Sequence, residues 1–125
     1  MMSSRKPISF IATSDPDAAR SFYADVIGLE LVESSPYALV FSDGGHMLRV
    51  QIVADFQAPP YTAHGWQVTY IDGTIAELTA KGAHFEQFDQ LDQSPEGVWK
   101  SPGGPKIAWM KDPAGNILSL SEFQD

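Results

Sequence analysis

The stretch Lys-Asp-Pro-Ala-Gly-Asn at residues 111–116 predicts a tight turn that leads into a last strand, 117–122. An earlier turn, Asp-Gly-Gly at residues 43–45, precedes a predicted strand in the same way. Both turns contain residues that tolerate the positive φ angles that tight turns require. Aligning them places residues 47–51 opposite residues 117–121, so the chain contains an internal repeat.

The elements before each turn also match. Each half begins with a strand, continues with a helix that an aspartate caps and a glycine ends, and closes with further strands. The first unit spans about residues 7–53 with Asp15 as the cap, a linker follows at 54–62, and the second unit spans about 63–123 with Asp72 as the cap. The predicted strands are 8–13, 29–33, 37–41 and 47–53, then 65–70, 83–88, 98–101, 106–111 and 117–122. The repeat is a βαβββ unit, and one copy is too small to bury its own hydrophobic face.

The composition excludes several classes of protein. The chain has 125 residues, 43% of them hydrophobic and 19% charged, which predicts one globular domain. A net charge of −8 disfavours nucleic acid, because phosphates would be repelled. Without cysteine there is no disulfide and no cysteine-ligated metal centre. No apolar run reaches the about 20 residues of a membrane span, and residues 1–6 lack the apolar stretch of a signal peptide. We therefore expect a cytoplasmic protein with no membrane partner.

Short motifs in both units resemble one known superfamily. Ser-Asp-Pro at 14–16, Phe-Tyr at 22–23, Gly-Leu at 28–29 and the turn at 111–116 are similar to those of the vicinal oxygen chelate superfamily. This group contains glyoxalases, bleomycin resistance proteins and extradiol dioxygenases. The resemblance covers nearly the whole chain. It implies a single α+β domain, residues 1–125, in which two tandem βαβββ units form a cupped mixed sheet around a cleft, with the helices on the outer face.

The resemblance also implies where a metal would bind. Enzymes of this superfamily hold a divalent ion with His and Glu side chains from the first and last strands of each unit. These positions correspond to Ile8, Arg49, Ala63 and Ser119. None offers the carboxylate or imidazole that a divalent ion needs, and the fixed charge of Arg49 opposes a cation. We expect no metal and no other cofactor.

The three histidines are weak candidates for metal ligands. His64 lies one residue past a metal position, and because strand side chains alternate, we expect it to point away from the cleft. His46 at the first turn and His84 at the start of a predicted strand are expected on the surface. No two of them have a spacing that would bring two imidazoles together on one element.

Alternation along the strands predicts which side chains line the cleft. The set mixes apolar, aromatic and hydrogen-bonding groups, as small-molecule pockets do. It comprises Ile8, Phe10, Ala12, Arg49, Gln51, Gly65, Gln67, Thr69, Trp109, Ser119 and Ser121. Arg49 is the candidate anchor for an anionic group, although a strand arginine is also often exposed and paired with an acid. Trp109 with Trp99 is either a stacking wall for a planar ligand or a pair of half-buried sheet aromatics.

Three functions remain open on these observations. The leading hypothesis is a protein that binds a small organic molecule in its cleft without a metal, in a resistance or sequestration role. The alternative is a metal-dependent lyase, isomerase or dioxygenase with displaced ligands such as His64 and Glu122. A third is a structural or regulatory domain. The resemblance also implies a homodimer, since members of the superfamily commonly pair so that their sheets complete the clefts.

Overall fold

The computed structural model describes residues 1–123, which form eight strands and two principal helices. In chain order the elements are β1 (Ile8–Thr13), α1 (Pro16–Ser21) with a π-helical continuation (Phe22–Ile27), β2 (Glu30–Ser34), β3 (Ala38–Asp43), β4 (His46–Ile52), β5 (Thr62–Gln67), α2 (Ile71–Ala80), β6 (Trp99–Lys100), β7 (Lys106–Lys111) and β8 (Ile117–Glu122). Neither helix in this part of the chain is long and apolar enough to cross a membrane.

Two four-stranded mixed sheets carry the fold. Their strand orders are β1-β4-β3-β2 and β5-β8-β7-β6. In each sheet the first strand of the unit runs parallel to the last, and the other neighbours are antiparallel. The identical order confirms the predicted fold of two tandem βαβββ units. Strand β1 contacts β5 at the boundary that we call the seam. Within residues 1–123 no backbone ladder crosses it.

The first helix forms as the sequence predicts. Asp15 is its N-cap, and the carboxylate accepts a hydrogen bond from the Ala18 amide at 3.2 Å, with a proline at the first helical position. The helix widens into a π-helical segment and ends at Gly28, whose φ of 90° lies in the left-handed region. In this segment the consecutive residues Phe22 and Tyr23 are both buried.

The second helix begins differently from the prediction. The sequence predicts Asp72 as its cap, but the helix starts at Ile71, with Tyr70 at the N-cap and Asp72 in the first turn. The Ile71 amide instead donates to Glu122 Oε1 at 2.9 Å. Because Glu122 lies 51 residues further along the chain, no local pattern indicates this cap.

One predicted strand is replaced by a loop that side-chain bonds hold in place. The segment 83–88 contains only an isolated bridge between Phe85 and Met110. The amide side chain of Gln93 accepts from the Phe88 amide at 2.7 Å and donates to two loop carbonyls at 3.0 and 2.8 Å. Strand β6 is correspondingly short, with two residues where the sequence predicts four.

A buried polar network joins the two units at one end of the seam. The Tyr23 hydroxyl donates to Asp112 Oδ2 at 2.6 Å, and the Asn116 side-chain amide donates to the same oxygen and to the Ala12 carbonyl, both at 2.8 Å. The other Asp112 oxygen accepts the backbone amides of Ala114 and Asn116, both at 2.9 Å. Burial and the adjacent carboxylate raise the pKa of Tyr23 above its ordinary value, so it remains a donor. Tyr23 belongs to the Phe-Tyr motif at 22–23, and Asp112 and Asn116 belong to the turn at 111–116. Both motifs carry the family resemblance, and their residues hold the two units together.

Candidate functional site

The sheet face opposite the helices is the candidate site, and we call it the cleft face. Residues paired in register share a face, so the pairing shows which side chains lie there. One row joins Arg49 to Phe10 in the first sheet, and another joins Trp109, Ser119 and Gly65 in the second. The alternate residues of these strands pack in the core between sheets and helices. The two rows approach each other where β1 contacts β5.

Arg49 lies in the interior of the first sheet. Its neighbours in register are Phe10 on β1 and Val40 on β3, and both are apolar. The side chain is partly buried, and within residues 1–123 it makes no hydrogen bond and no ion pair. A guanidinium has five N–H donors, so Arg49 is available to an anion.

Three aromatic rings form a wall on the second sheet. Trp109 packs edge-to-face against Phe88, with ring centroids 5.6 Å apart, and is tilted against Trp99 at 6.0 Å. The Trp109 indole N–H donates to Thr62 Oγ1 at 3.2 Å, which fixes the orientation of the ring. The sequence indicates both tryptophans as candidate site residues but misses Phe88 and Thr62. Phe88 belongs to the segment 83–88, which is predicted as a strand but forms a loop, and Thr62 falls in the predicted linker.

Most of the other predicted cleft residues also lie on this face. They are Ile8, Phe10, Ala12, Gln51, Gln67 and Ser121. Ile8 and Phe10 are 44% and 55% exposed, so the first sheet presents apolar surface there. Thr69 is an exception. Strand β5 ends at Gln67, and Thr69 lies in a bend beyond it, where the predicted alternation does not apply.

Gly65 leaves room for the Ser119 side chain on the cleft face. A Cβ atom at Gly65 would clash with Ser119 Oγ and would lie 3.0 Å from the Ser119 carbonyl oxygen. Any side chain at this position must therefore displace the serine. The glycine gives the hydroxyl its space in the second row.

The predicted metal positions need one correction. A β-bulge between Thr62 and His64 inserts Ala63 as an extra residue, and Ala63 packs against the core. Thr62 takes its place on the cleft face, paired with Ile117. The four positions then hold Ile8, Arg49, Thr62 and Ser119. Divalent ions prefer carboxylates and imidazoles, and no group of three or more His, Cys, Asp or Glu within residues 1–123 is arranged to hold an ion. These residues do not fit the metal that the superfamily implies.

The displaced pair His64 and Glu122 does not converge. His64 pairs in register with buried Leu118, so it points away from the cleft, as alternation predicts. Glu122 accepts the Ile71 amide at the start of α2. Leu118 and Glu122 are four residues apart on β8, about 13 Å at about 3.3 Å per residue. The structure therefore does not support this ligand pair.

A histidine pair lies at the other end of the seam, on the helix side. The rings of His46 and His64 stack with centroids 6.4 Å apart and planes within 10°, and His64 packs edge-to-face on Trp66 at 4.9 Å. His46 Nε2 is 2.8 Å from Ser9 Oγ, and the Trp66 N–H donates to Asp43 Oδ2 at 2.6 Å. The expectation that His46 is a surface histidine is wrong, since it is half-buried and packed against the other unit.

Comparison with known families agrees with this architecture. The family model of the glyoxalase-like domain matches residues 9–121, most of the chain. The chain belongs to the glyoxalase-like domain family. No functionally curated protein matches it.

Solved structures show the same glyoxalase-like fold. A lactoylglutathione lyase from Agrobacterium tumefaciens is 24% identical with a TM-score of 0.72, and the match covers 95% of this chain and 93% of that one. A glyoxalase family protein from Enterococcus faecalis is 24% identical with a TM-score of 0.75, over 98% and 100% of the two chains. A fosfomycin resistance protein from Listeria monocytogenes is 13% identical with a TM-score of 0.75, over 97% and 94%. At these identities the likeness shows the fold alone.

Proposed function

We propose that this glyoxalase-like domain binds a small organic molecule with an anionic group on its cleft face, without a divalent metal. Arg49 carries the proposal, because the residue is partly buried and its guanidinium makes no hydrogen bond or ion pair within residues 1–123. Partial burial of an unpaired charge is unfavourable, and an anionic ligand would relieve that cost. The planar donors of arginine fit a carboxylate or a phosphate through two parallel hydrogen bonds.

The rest of the face favours a ligand with a planar or apolar body. Trp109, with Phe88 and Trp99 against it, offers ring surface for stacking. Ser119 and Gln67 add hydrogen-bonding groups in the strands between this wall and the seam. A few polar groups within an apolar lining are the usual make-up of a small-molecule site.

The donor chemistry supports binding without the superfamily's metal. Two hydroxyls, a hydrocarbon and a guanidinium stand where imidazoles and carboxylates would be needed. A metal-dependent lyase, isomerase or dioxygenase therefore lacks a ligand set at this position. A role in sequestration or resistance is the form of the proposal that we favour. The fosfomycin resistance protein among the similar structures is compatible with such a role.

We further propose a cytoplasmic homodimer. Ile8, Phe10 and Met47 are apolar and 37–55% exposed on the first sheet's cleft face, and a second copy could cover them. Light scattering at micromolar concentration tests this. A mass of a single chain, 13.7 kDa, would contradict the dimer.

The proposed binding is tested first on protein purified from its own host. Native mass spectrometry should detect a retained organic molecule, and that molecule is then used in equilibrium titrations. Arg49→Gln should weaken its binding about tenfold or more, as expected when a charge-assisted hydrogen bond is lost. Arg20→Gln is the matched control, since Arg20 is exposed on α1 and loses the same charge.

Three results would overturn the proposal, two of them from the variants and the third from titration. One is equal affinity of the Arg49→Gln and Arg20→Gln variants. The other is a stoichiometric transition metal by elemental analysis that disappears in His64→Ala, which would favour the metal-dependent alternative. If no molecule is retained, titration against a library of small carboxylates and phosphates decides, and the absence of any binder rejects the proposal.

A further inference from the structure

The seam between the two units depends on side chains. Strands β1 and β5 contact each other without a backbone ladder in the described residues. At one end, Asn116 bonds the Ala12 carbonyl and the neighbouring Asp112 holds Tyr23. At the other end, the connections are the His46–His64 stack and the Trp66–Asp43 hydrogen bond. The proposed ligand binding uses none of the side chains at this second end.

Both connections at the histidine end reach across β1. His46 belongs to β4 in the first unit and contacts Ser9 of β1 at 2.8 Å, and its ring stacks on His64 of β5 in the second unit. Trp66, two residues further along β5, reaches Asp43 at the end of β3. Each imidazole is half-buried, so a charge on either one would be only partly solvated.

The surroundings of His64 favour its neutral form. Burial lowers the pKa of the imidazole below its ordinary value, and the nearby His46 lowers it further, while the carboxylate of Asp43 acts in the opposite direction. Leu118 beside it on β8, Ser9 on β1 and Trp66 bring no further ionisable group. A second proton on this pair would place two like charges with ring centroids 6.4 Å apart.

We propose that the His46–His64 pair makes the seam sensitive to pH, so that mild acid loosens this end while the Tyr23–Asp112–Asn116 end stays closed. A histidine that protonates less readily in the folded state than in the unfolded state binds fewer protons when folded. Stability therefore falls as the pH drops through the ordinary histidine range. Because the two rows of the cleft face lie on opposite sides of the seam, loosening changes the spacing between Arg49 and Trp109.

Amide hydrogen exchange of the whole chain tests the proposal at about pH 7.5 and about pH 5.5, on either side of histidine titration. After correction for the intrinsic pH dependence, exchange in β4 and β5 should rise about tenfold at the lower pH, because two unit charges about 6 Å apart repel appreciably even after screening. The strands β2 and β7, which contribute no side chain to these connections, should change less. In a parallel NMR titration, the His64 imidazole should protonate at a lower pH than an ordinary histidine.

Matched variants separate this effect from general acid sensitivity. His64→Gln and His46→Gln should each abolish the extra exchange in β4 and β5, while His84→Gln, at an exposed histidine, should behave as the wild type. If His64→Gln does not fold, His46→Gln decides alone. The proposal is overturned if neither variant reduces the pH dependence, if exchange rises equally throughout the sheets, or if His64 protonates at or above the ordinary histidine value.

Discussion

Replacing Tyr23 with phenylalanine should lower the stability of the whole domain. The change removes one hydroxyl, which donates to Asp112 Oδ2 at 2.6 Å in a buried site. The carboxylate keeps three other donors: the amides of Ala114 and Asn116 and the Asn116 side chain. Asp112 therefore stays partly satisfied, and the loss is that of a single charge-assisted hydrogen bond, about 1.5–3 kcal/mol.

The expected loss converts into a measurable shift in melting temperature. The entropy of unfolding is about 2.1 cal/mol/K per residue, or about 0.26 kcal/mol/K for a chain of 125 residues. The predicted range then corresponds to a Tm lower by about 6–11 °C. Urea denaturation should give the same free-energy difference through a shifted midpoint at constant slope.

Tyr37→Phe is the matched control for this experiment. Tyr37 is 80% exposed, and no hydrogen bond of its hydroxyl occurs among the described residues. Its loss should change the unfolding free energy by less than about 0.5 kcal/mol. The role assigned to Tyr23 is refuted if the two variants are equally stable, or if Tyr23→Phe loses less than about 0.5 kcal/mol.

Three further outcomes are expected. The pKa of Tyr23 is raised in the folded protein, so the unfolding free energy should fall as the pH rises above about 10, the ordinary tyrosine value. Urea denaturation at increasing pH should show this fall in the wild type and a weaker one in Tyr23→Phe. Gly65→Ala should lower the unfolding free energy by about 1–3 kcal/mol through its clash with Ser119. Adding Ser119→Ala to this variant should restore part of the loss in urea denaturation, which a purely backbone effect would not do. Arg49→Gln should not lower the unfolding free energy by more than about 0.5 kcal/mol, because the side chain has no partner within residues 1–123 and its partly buried charge is unfavourable; a larger loss would mean that Arg49 is structural.

The features that the sequence predicts correctly are local or periodic. The Asp15 cap depends on an amide three residues away, and the order of strands follows from the repeated unit. Strand alternation likewise places Arg49 and Trp109 on the same face of their sheets as the sequence predicts.

The errors arise where side-chain bonds or an irregularity of the completed fold, rather than a periodic pattern, decide the local conformation. Glu122 caps α2 from 51 residues away, and a one-residue bulge moves Ala63 off the cleft face. The side chain of Gln93 holds a loop where the sequence shows strand-like residues. A bulge, a long-range cap and a loop fixed by side chains leave no periodic signal, because each depends on what the completed fold places nearby.

The position of the Tyr23–Asp112–Asn116 network bears on how this fold diversifies. The network lies on the helix side and ties the first unit's helix to the turn that opens β8, while the cleft residues occupy the opposite side of the same strands. Under the proposed function, the residues that hold the two units together are therefore distinct from those that would bind a ligand. If the cleft face binds a ligand as proposed, substitutions at Arg49, Thr62 or Ser119 would change what it binds without removing a bond of this network. The network can therefore be kept in a chain of this fold whose cleft face carries different side chains.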